Sequence, residues 1–418
     1  MARSSTKQPP ARRRGGILAN LSLSVVTLAV LFALAELTIR IFFPVANLGT
    51  VIGFDAHLGW SLRPGSSLHA LDHARGLNYE IRVNSHGLRE REFAEHPPPG
   101  KRRILFVGDS ATFGTGVESA WRFSDFVGRA TARQWDVVNA GVPGWGTDQQ
   151  LIWYERQGAR FDADVVVLTF FMPNDVLNNG MDRLFLGTAP KPRFTSADGE
   201  LVTPGPVQQP PRTLKSRLRA MARTSQLLVL AKRARDIGRT GAAREDAFPQ
   251  GFGKDAPHET YTHWTVFERD TRPEIEAAWQ TTEAIIARFA RECRWNNAEL
   301  IVFAMPLMES DDEWRAWLLE HSEVSEATLD FAAPFQRLRQ ICSDEGIPLV
   351  YPLEEFRAVA TERTLFMRRE GHPNMAGHAL AARCLLEWLQ SERGIEYEVA
   401  REDAQFLYPE GAGGGGTR

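Results

Sequence analysis

Five short apolar runs, each bounded by turn residues and separated by helical periodicity, restrict this chain to few architectures. They are Ile104–Val107, Trp135–Asn139, Asp164–Phe171, Glu299–Ala304 and Ile347–Val350. Runs that are continuously apolar, with no alternation, suit strands covered on both faces. Between the first two, Phe123, Phe126, Val127 and Ala130 recur at helical spacing. Thr147-Asp148-Gln149-Gln150 has the form of a capping box opening a helix to about Arg160. Amphipathic helices precede the fourth and fifth runs as well. Such alternation predicts an α/β fold, a doubly wound parallel sheet flanked by helices.

The amino terminus adds a different element. Arg12-Arg13-Arg14 precede Ile17 to Ala35, nineteen residues without a charge, followed by Glu36 to Phe43. That length is about what a hydrocarbon core requires. The reading is a basic cytoplasmic tail at 1–16 and a transmembrane signal-anchor helix at 17–43. The remainder is then placed outside the cytoplasmic membrane, periplasmic or extracellular, by the positive-inside rule. Ala33-Leu34-Ala35 has the small-x-small form of a signal-peptidase site. Apolar periodicity continuing through Phe43 favours the uncleaved helix. Glu36 and Arg40 stand at i,i+4 spacing, where they can pair on one helix face.

Residues 44–100 are turn-rich, with a strand-like Tyr79–Val83 and a turn signal at Asn84-Ser85-His86-Gly87. They read as a β-containing juxtamembrane extension ending at Pro97-Pro98-Pro99-Gly100. The α/β domain is assigned to 101–395, with an insertion at about 187–273 and a flexible tail at 396–418. The insertion holds a proline-rich run at 204–211 and a basic helical segment with Lys215, Arg217, Arg219, Arg223, Lys232, Arg233 and Arg235. A solvated helix face is the favoured reading of those cations over a site for lipid or an acidic polymer.

With 418 residues and 43% hydrophobic content, the chain can bury a large core. A net charge of −3 with no long basic stretch beyond the amino terminus gives no footprint for nucleic acid. The three cysteines, Cys293, Cys342 and Cys384, form no Cys-x-x-Cys pair and read as buried thiols. No metal-ligand spacing of the His-Glu-x-x-His kind occurs, so neither metal nor cofactor is expected.

Val107-Gly108-Asp109-Ser110 closes the first strand, and the carboxyl ends of such strands are where open α/β sheets collect ligands. Ser110 is therefore the candidate nucleophile. An attacking serine needs a base, a group that orients the base, and donors for the developing oxyanion. The second strand ends in Asn139-Ala140-Gly141-Val142-Pro143-Gly144, whose glycines let a backbone N–H approach a ligand. The third ends in Met172-Pro173-Asn174-Asp175 and offers a side-chain amide. Glu370-Gly371-His372-Pro373-Asn374 lies just before a late helix and supplies a base. Asp109 and Asp175 read as structural, and His378 as a packed helical histidine.

These blocks resemble the SGNH, or GDSL-type, hydrolase family over roughly Arg103 to Leu389. Ser110 matches the family's nucleophile, Gly144 its oxyanion glycine, Asn174 its oxyanion amide and His372 its base. The resemblance implies a flavodoxin-like sheet and an oxyanion hole of Ser110, Gly144 and Asn174. Proline at 173 replaces the family's usual glycine. Glu370 stands near where the family places an aspartate, which makes it the candidate third member. The layout from apolar helix through Leu58-Gly59-Trp60 and Asn84–Arg89 to Gly108-Asp109-Ser110 resembles membrane-anchored bacterial members.

The expected activity is ester hydrolysis through a Ser110 acyl-enzyme, on an acylated small-molecule or glycan substrate. Two alternatives use the same features: O-acyl transfer to an exported polysaccharide, and a non-catalytic role in envelope polysaccharide binding or assembly. The expected partners are the membrane and polysaccharide-assembly or acyltransferase proteins.

Overall fold

The computed structural model describes residues 14–42, 48–72, 77–183, 189–197, 200–208, 214, 225, 227–228, 231, 263–307, 310–320, 324–361, 364–367 and 371–409. The chain divides into two compact units, Met1–Val45 with Thr213–Gly241, and Ala46–Arg212 with Ala242–Arg418.

In the first unit, helix α1 (Arg14–Phe42) contains 24 residues, Ala19–Phe42, that are long and apolar enough to cross a membrane, with mean hydropathy 2.1. Leu21, Leu23, Val26 and Leu28 are exposed on it. Glu36 is matched on both oxygens. Its Oε1 accepts from Arg40 Nε at 2.7 Å, and its Oε2 accepts from Ser225 Oγ at 2.8 Å and from Leu227 N at 2.9 Å. The seven cations of the basic segment lie outside the described residues.

The second unit begins with two antiparallel ribbons. β1 (Ile52–Asp55) pairs with β2 (Gly59–Leu62), and β3 (Ser67–Asp72) with β4 (Leu77–Arg82). The central sheet follows: β5 (Arg102–Val107), β6 (Trp135–Asn139), β7 (Val165–Phe170), β10 (Glu299–Ala304) and β11 (Leu349–Val350). Between β7 and β10, β8 (Thr195–Ala197) and β9 (Glu200–Val202) form a small hairpin. The central order is β11-β10-β7-β5-β6 with every pair parallel. All six residues of β7 and five of the six in β5 are buried, as continuous apolar runs require.

The helices that cover the sheet are α3 (Phe123–Ala130), α4 (Thr147–Arg156), α5 (Met172–Asn179), α6 (Pro273–Trp295), α8 (Ala333–Asp344) and α10 (Met375–Arg393). Four short ones are also described: α2 (Ser110–Phe113), α7 (Asp312–Glu320), α9 (Leu353–Ala360) and α11 (Arg401–Leu407). Cys293, Cys342 and Cys384 are free and buried in α6, α8 and α10. From β5 the chain goes out to β6 and returns to β7 on the far side of β5. The resulting reversal opens a crevice at the carboxyl ends of β5 and β7.

The structure adds detail at four places in the sequence reading. Residues 46–100 share one compact unit with the α/β body, because Leu58, Trp60, Tyr79, Ile81 and Leu88 bury themselves in its core. Within the stretch read as an insertion, Lys191 and Phe194 are buried, and Trp264, Val266 and Phe267 of the turn His263–Phe267 join the core. The tail assigned to 396–418 contains α11, anchored by two hydrogen bonds from Arg129 to Asp403 at 2.8 and 3.0 Å. Helix α4 starts with Gly146 as its N-cap, and the reciprocal bond is Gly146 N to Gln149 Oε1 at 3.2 Å. Thr147 is free of capping duty and donates to Asp175 Oδ1 at 2.7 Å instead.

Candidate active site

β5 ends at Val107 and the chain turns at once into α2, which leaves room only for glycine at 108. A Cβ there would lie 2.1 Å from Thr112 Oγ1. Asp109 caps α2 by accepting from Ala111 N at 2.9 Å through Oδ1. This puts Ser110 at the first helical position, above the carboxyl edge of the sheet. Asp109 Oδ2 accepts from Asn174 Nδ2 at 2.8 Å, so the loops after β5 and β7 are tied across the crevice. Asp109 is fully buried, and burial raises its pKa although Asn174 and the Ala111 N–H pull the other way.

His372 arrives from the far end of the chain. Its segment folds on itself: Gly371 N donates to Met367 O at 2.9 Å, Met367 N to His372 O at 2.8 Å, and Asn374 N to Leu365 O at 2.9 Å. Asn374 then caps α10, accepting from Ala376 N at 2.8 Å and Gly377 N at 3.1 Å. Held between this hairpin and the cap, His372 places Nε2 2.9 Å from Ser110 Oγ, 262 residues away in sequence. That is hydrogen-bond distance for a base and its nucleophile. Glu370, the expected orienting carboxylate, lies outside the described residues.

The loop after β6 packs against the turn that carries Ser110. Val142 N donates to Gly108 O at 3.1 Å, and a Cβ on Gly141 would lie 2.3 Å from Phe113 N. Gly144 has φ +80°, a left-handed conformation that glycine adopts without strain. Among the described residues, neither the Ser110 N–H nor the Gly144 N–H has a hydrogen-bond acceptor. An oxyanion hole needs backbone donors that are left open in this way. Asn174 is nearly buried at the start of α5, with its amide fixed by Asp109.

Asp175 is structural. Its Oδ2 accepts from Phe171 N at 2.6 Å and its Oδ1 from Thr147 Oγ, and burial raises its pKa well above the ordinary carboxylate value. His378 is fully buried, stacks on Phe123 and accepts from Phe123 N through Nδ1 at 3.4 Å. Burial first, then the nearby charge of Arg122, push its pKa down to about 3. Among the described residues, no group of three or more His, Cys, Asp or Glu could hold a metal ion.

Sequence reasoning gave no role to two residues that support the site. Trp60 Nε1 donates to Pro143 O at 3.0 Å, and Trp145 Nε1 donates to Trp60 O at 2.9 Å. Arg89 is buried beneath the Ser110 turn and donates to Phe113 O at 3.0 Å, Gly114 O at 2.9 Å, Val117 O at 2.9 Å and Glu80 O at 2.7 Å. Having no carboxylate partner among these bonds, Arg89 has its pKa lowered to about 10, chiefly by burial. The Asn84 side chain builds the turn that delivers it, accepting from His86 N and Leu88 N, each at 3.0 Å. Leu58-Gly59-Trp60 and Asn84–Arg89 are visible as text, but Trp60 meets Pro143 83 residues on and Arg89 meets Phe113 24 residues on, which no local pattern announces.

The GDSL-like Lipase/Acylhydrolase family matches residues 106–322, which take in Ser110, Gly144 and Asn174. Similar solved structures include the acetylxylan esterase Axe2 of Geobacillus stearothermophilus, at 14% identity and TM-score 0.38, covering 72% of this chain and 97% of that one. The lipase/acylhydrolase of Enterococcus faecalis is similar at 13% identity and TM-score 0.36, covering 72% and 98% respectively. No curated protein sequence matches. More than half of the residues fall within one family match, so the chain belongs to the GDSL-like lipase/acylhydrolase family of SGNH hydrolases.

Proposed function

We propose that this protein is a serine-dependent ester hydrolase whose catalytic unit works outside the cytoplasmic membrane, anchored by α1. The observation that carries the chemistry is the 2.9 Å approach of His372 Nε2 to Ser110 Oγ at the mouth of the β5/β7 crevice. Membership of a family of ester hydrolases supports it. The anchor reading rests on the length and hydropathy of Ala19–Phe42 and on Arg12-Arg13-Arg14 before it.

In the proposed cycle His372 removes the Ser110 proton as Oγ attacks the ester carbonyl. The negative charge that forms on the carbonyl oxygen is met by the N–H groups of Ser110 and Gly144 and the Asn174 amide. Asp109 holds that amide in place. His372, now protonated, gives its proton to the leaving alkoxide, and an acyl-enzyme remains. Water then attacks with His372 again as base, releasing the acid and restoring Ser110. Glu370 is the proposed orienter of His372.

The test is covalent labelling of the full chain in detergent with a fluorophosphonate probe. Labelling is expected on the wild-type protein, with complete loss in Ser110→Ala and a folded circular-dichroism spectrum in both. A wild-type chain that neither labels nor cleaves p-nitrophenyl acetate overturns the enzyme reading.

A further inference from the structure

Residues 58–60 lie outside the family match, yet they hold both ends of the loop that carries Gly144. Trp60 grips the middle: its indole N–H donates to Pro143 O at 3.0 Å, and its own carbonyl accepts from Trp145 Nε1 at 2.9 Å. Leu58 O accepts from Gln149 Nε2 at 2.6 Å, and Gln149 Oε1 accepts from Gly146 N at 3.2 Å. Trp60 and Trp145 are both buried, so these bonds act away from competing water. Gly59 (φ +77°) lets the strand pass, since a Cβ there would lie 2.2 Å from Pro190 O.

The bond to Pro143 O has a geometric consequence. Pro143 C=O and Gly144 N–H belong to one peptide group, and none of the described peptide bonds is cis. In a planar trans peptide the carbonyl and the N–H point in opposite directions. Whatever fixes the Pro143 oxygen therefore fixes where the Gly144 N–H is aimed. Glycine at 144 has no side chain to resist rotation of that plane, so the plane needs an external hold.

We propose that Trp60 is a positioning residue for ester hydrolysis: its indole N–H locks the Pro143–Gly144 peptide with the Gly144 N–H facing the oxyanion position. This rests on the reading of Gly144 as an oxyanion donor. The strand β2 is thereby part of the active-site scaffold, although it precedes the α/β sheet in sequence. Loss of a whole oxyanion donor costs about a hundred- to thousand-fold in kcat, and a donor left free to rotate costs less, about tenfold.

The experiment uses the full chain in detergent with p-nitrophenyl acetate as substrate and a fluorophosphonate as the tetrahedral probe. Trp60→Phe keeps the aromatic packing and removes the donor. The expected result is a kcat about tenfold lower, KM within twofold, and a parallel fall in the phosphonylation rate of Ser110. The pH midpoint of kcat/KM stays in place, because His372 is untouched. Ile341→Val in α8 is the control, expected to lower Tm with kcat intact. If Trp60→Phe does not fold, Trp145→Phe, which removes the other half of the grip, carries the test with the same direction of change. A Trp60→Phe enzyme with kcat within twofold of wild type overturns the proposal, as does a loss of kcat of equal size in Ile341→Val. A Ser110→Ala protein that turns over substrate at the wild-type rate overturns the site reading itself, and the positioning role with it.

Discussion

Two histidines six residues apart sit in different surroundings, one against a serine hydroxyl and one in the core. His372 reaches Ser110 Oγ at the rim of the crevice, whereas His378, six residues on, is fully buried beside Phe123. A histidine whose pKa is driven to about 3 stays neutral through the working range and cannot serve as a base near pH 7. It does affect acid stability. Its folded value lies below the ordinary value near 6.5, so between those limits the unfolded chain binds a proton that the folded chain does not. Stability from this group is complete above the unfolded value and is lost as pH falls from about 6.5 toward 3. Arg122, His372 and Arg89 all add to the same depression. His378→Leu should flatten the stability-against-pH curve in that window by up to about 1.4 kcal/mol per pH unit, with kcat at pH 7 unchanged. Urea midpoints between pH 4 and pH 7 measure it, and an unaltered slope sinks the assignment.

At the level of elements, legibility in the sequence followed the distance over which each feature is determined. The central strands were readable because burial on both faces leaves a continuous apolar run, as in Val165–Phe170. Ser110, Gly144 and Asn174 were readable because each follows such a strand within a few residues. The N-cap of α4 was misplaced by one residue because Thr147 meets Asp175, 28 residues away, before it can cap. The grip of Trp60 on Pro143 spans 83 residues and that of Arg129 on Asp403 spans 274, and neither leaves a local pattern. The buried pair of Lys191 and Asp148 is the same kind of feature, inside what reads as an insertion. Both side chains are fully buried; burial raises the Asp148 pKa and lowers that of Lys191, and each partner opposes the shift. Lys191 also donates to Asn178 O at 2.8 Å. Removing only the lysine leaves a fully buried carboxylate with no cation, held by the Gln149 N–H at 2.8 Å. Lys191→Met should then cost about 3–5 kcal/mol in urea unfolding, with a substantial part recovered in Lys191→Met/Asp148→Asn. A double variant as unstable as the single one argues against the pairing energy.

For the molecule as a whole, the sequence places a boundary at Pro97–Gly100, but the structure joins 46–100 to the catalytic body. The two groups of contacts described for this segment act on different parts of the site. Trp60 and Leu58 hold the loop after β6, while Arg89 holds the carbonyls that end the Ser110 turn. Removing the segment would strip a buried guanidinium from the carbonyl oxygens of Phe113, Gly114 and Val117 and take the Trp60 carbonyl from the buried Trp145 indole N–H. Unpaired buried polar groups cost about 1–3 kcal/mol each, comparable together to the whole stability of a domain. The amino-terminal helix is a separate matter, since its described apolar side chains are exposed and it belongs to the other compact unit. A chain beginning at Ala46 should therefore fold cooperatively and keep Ser110-dependent cleavage of p-nitrophenyl acetate within a few-fold of the full chain in detergent. A chain beginning at Lys101, where the sequence alone draws the domain, should aggregate or unfold without a cooperative transition. Thermal melts and aryl-ester assays on the two truncations decide it: a folded, active chain starting at Lys101 would mean that the Trp60 and Arg89 contacts are dispensable. Inactivity of the chain starting at Ala46, if it still melts cooperatively, would instead assign the amino-terminal apolar helix a part in the chemistry.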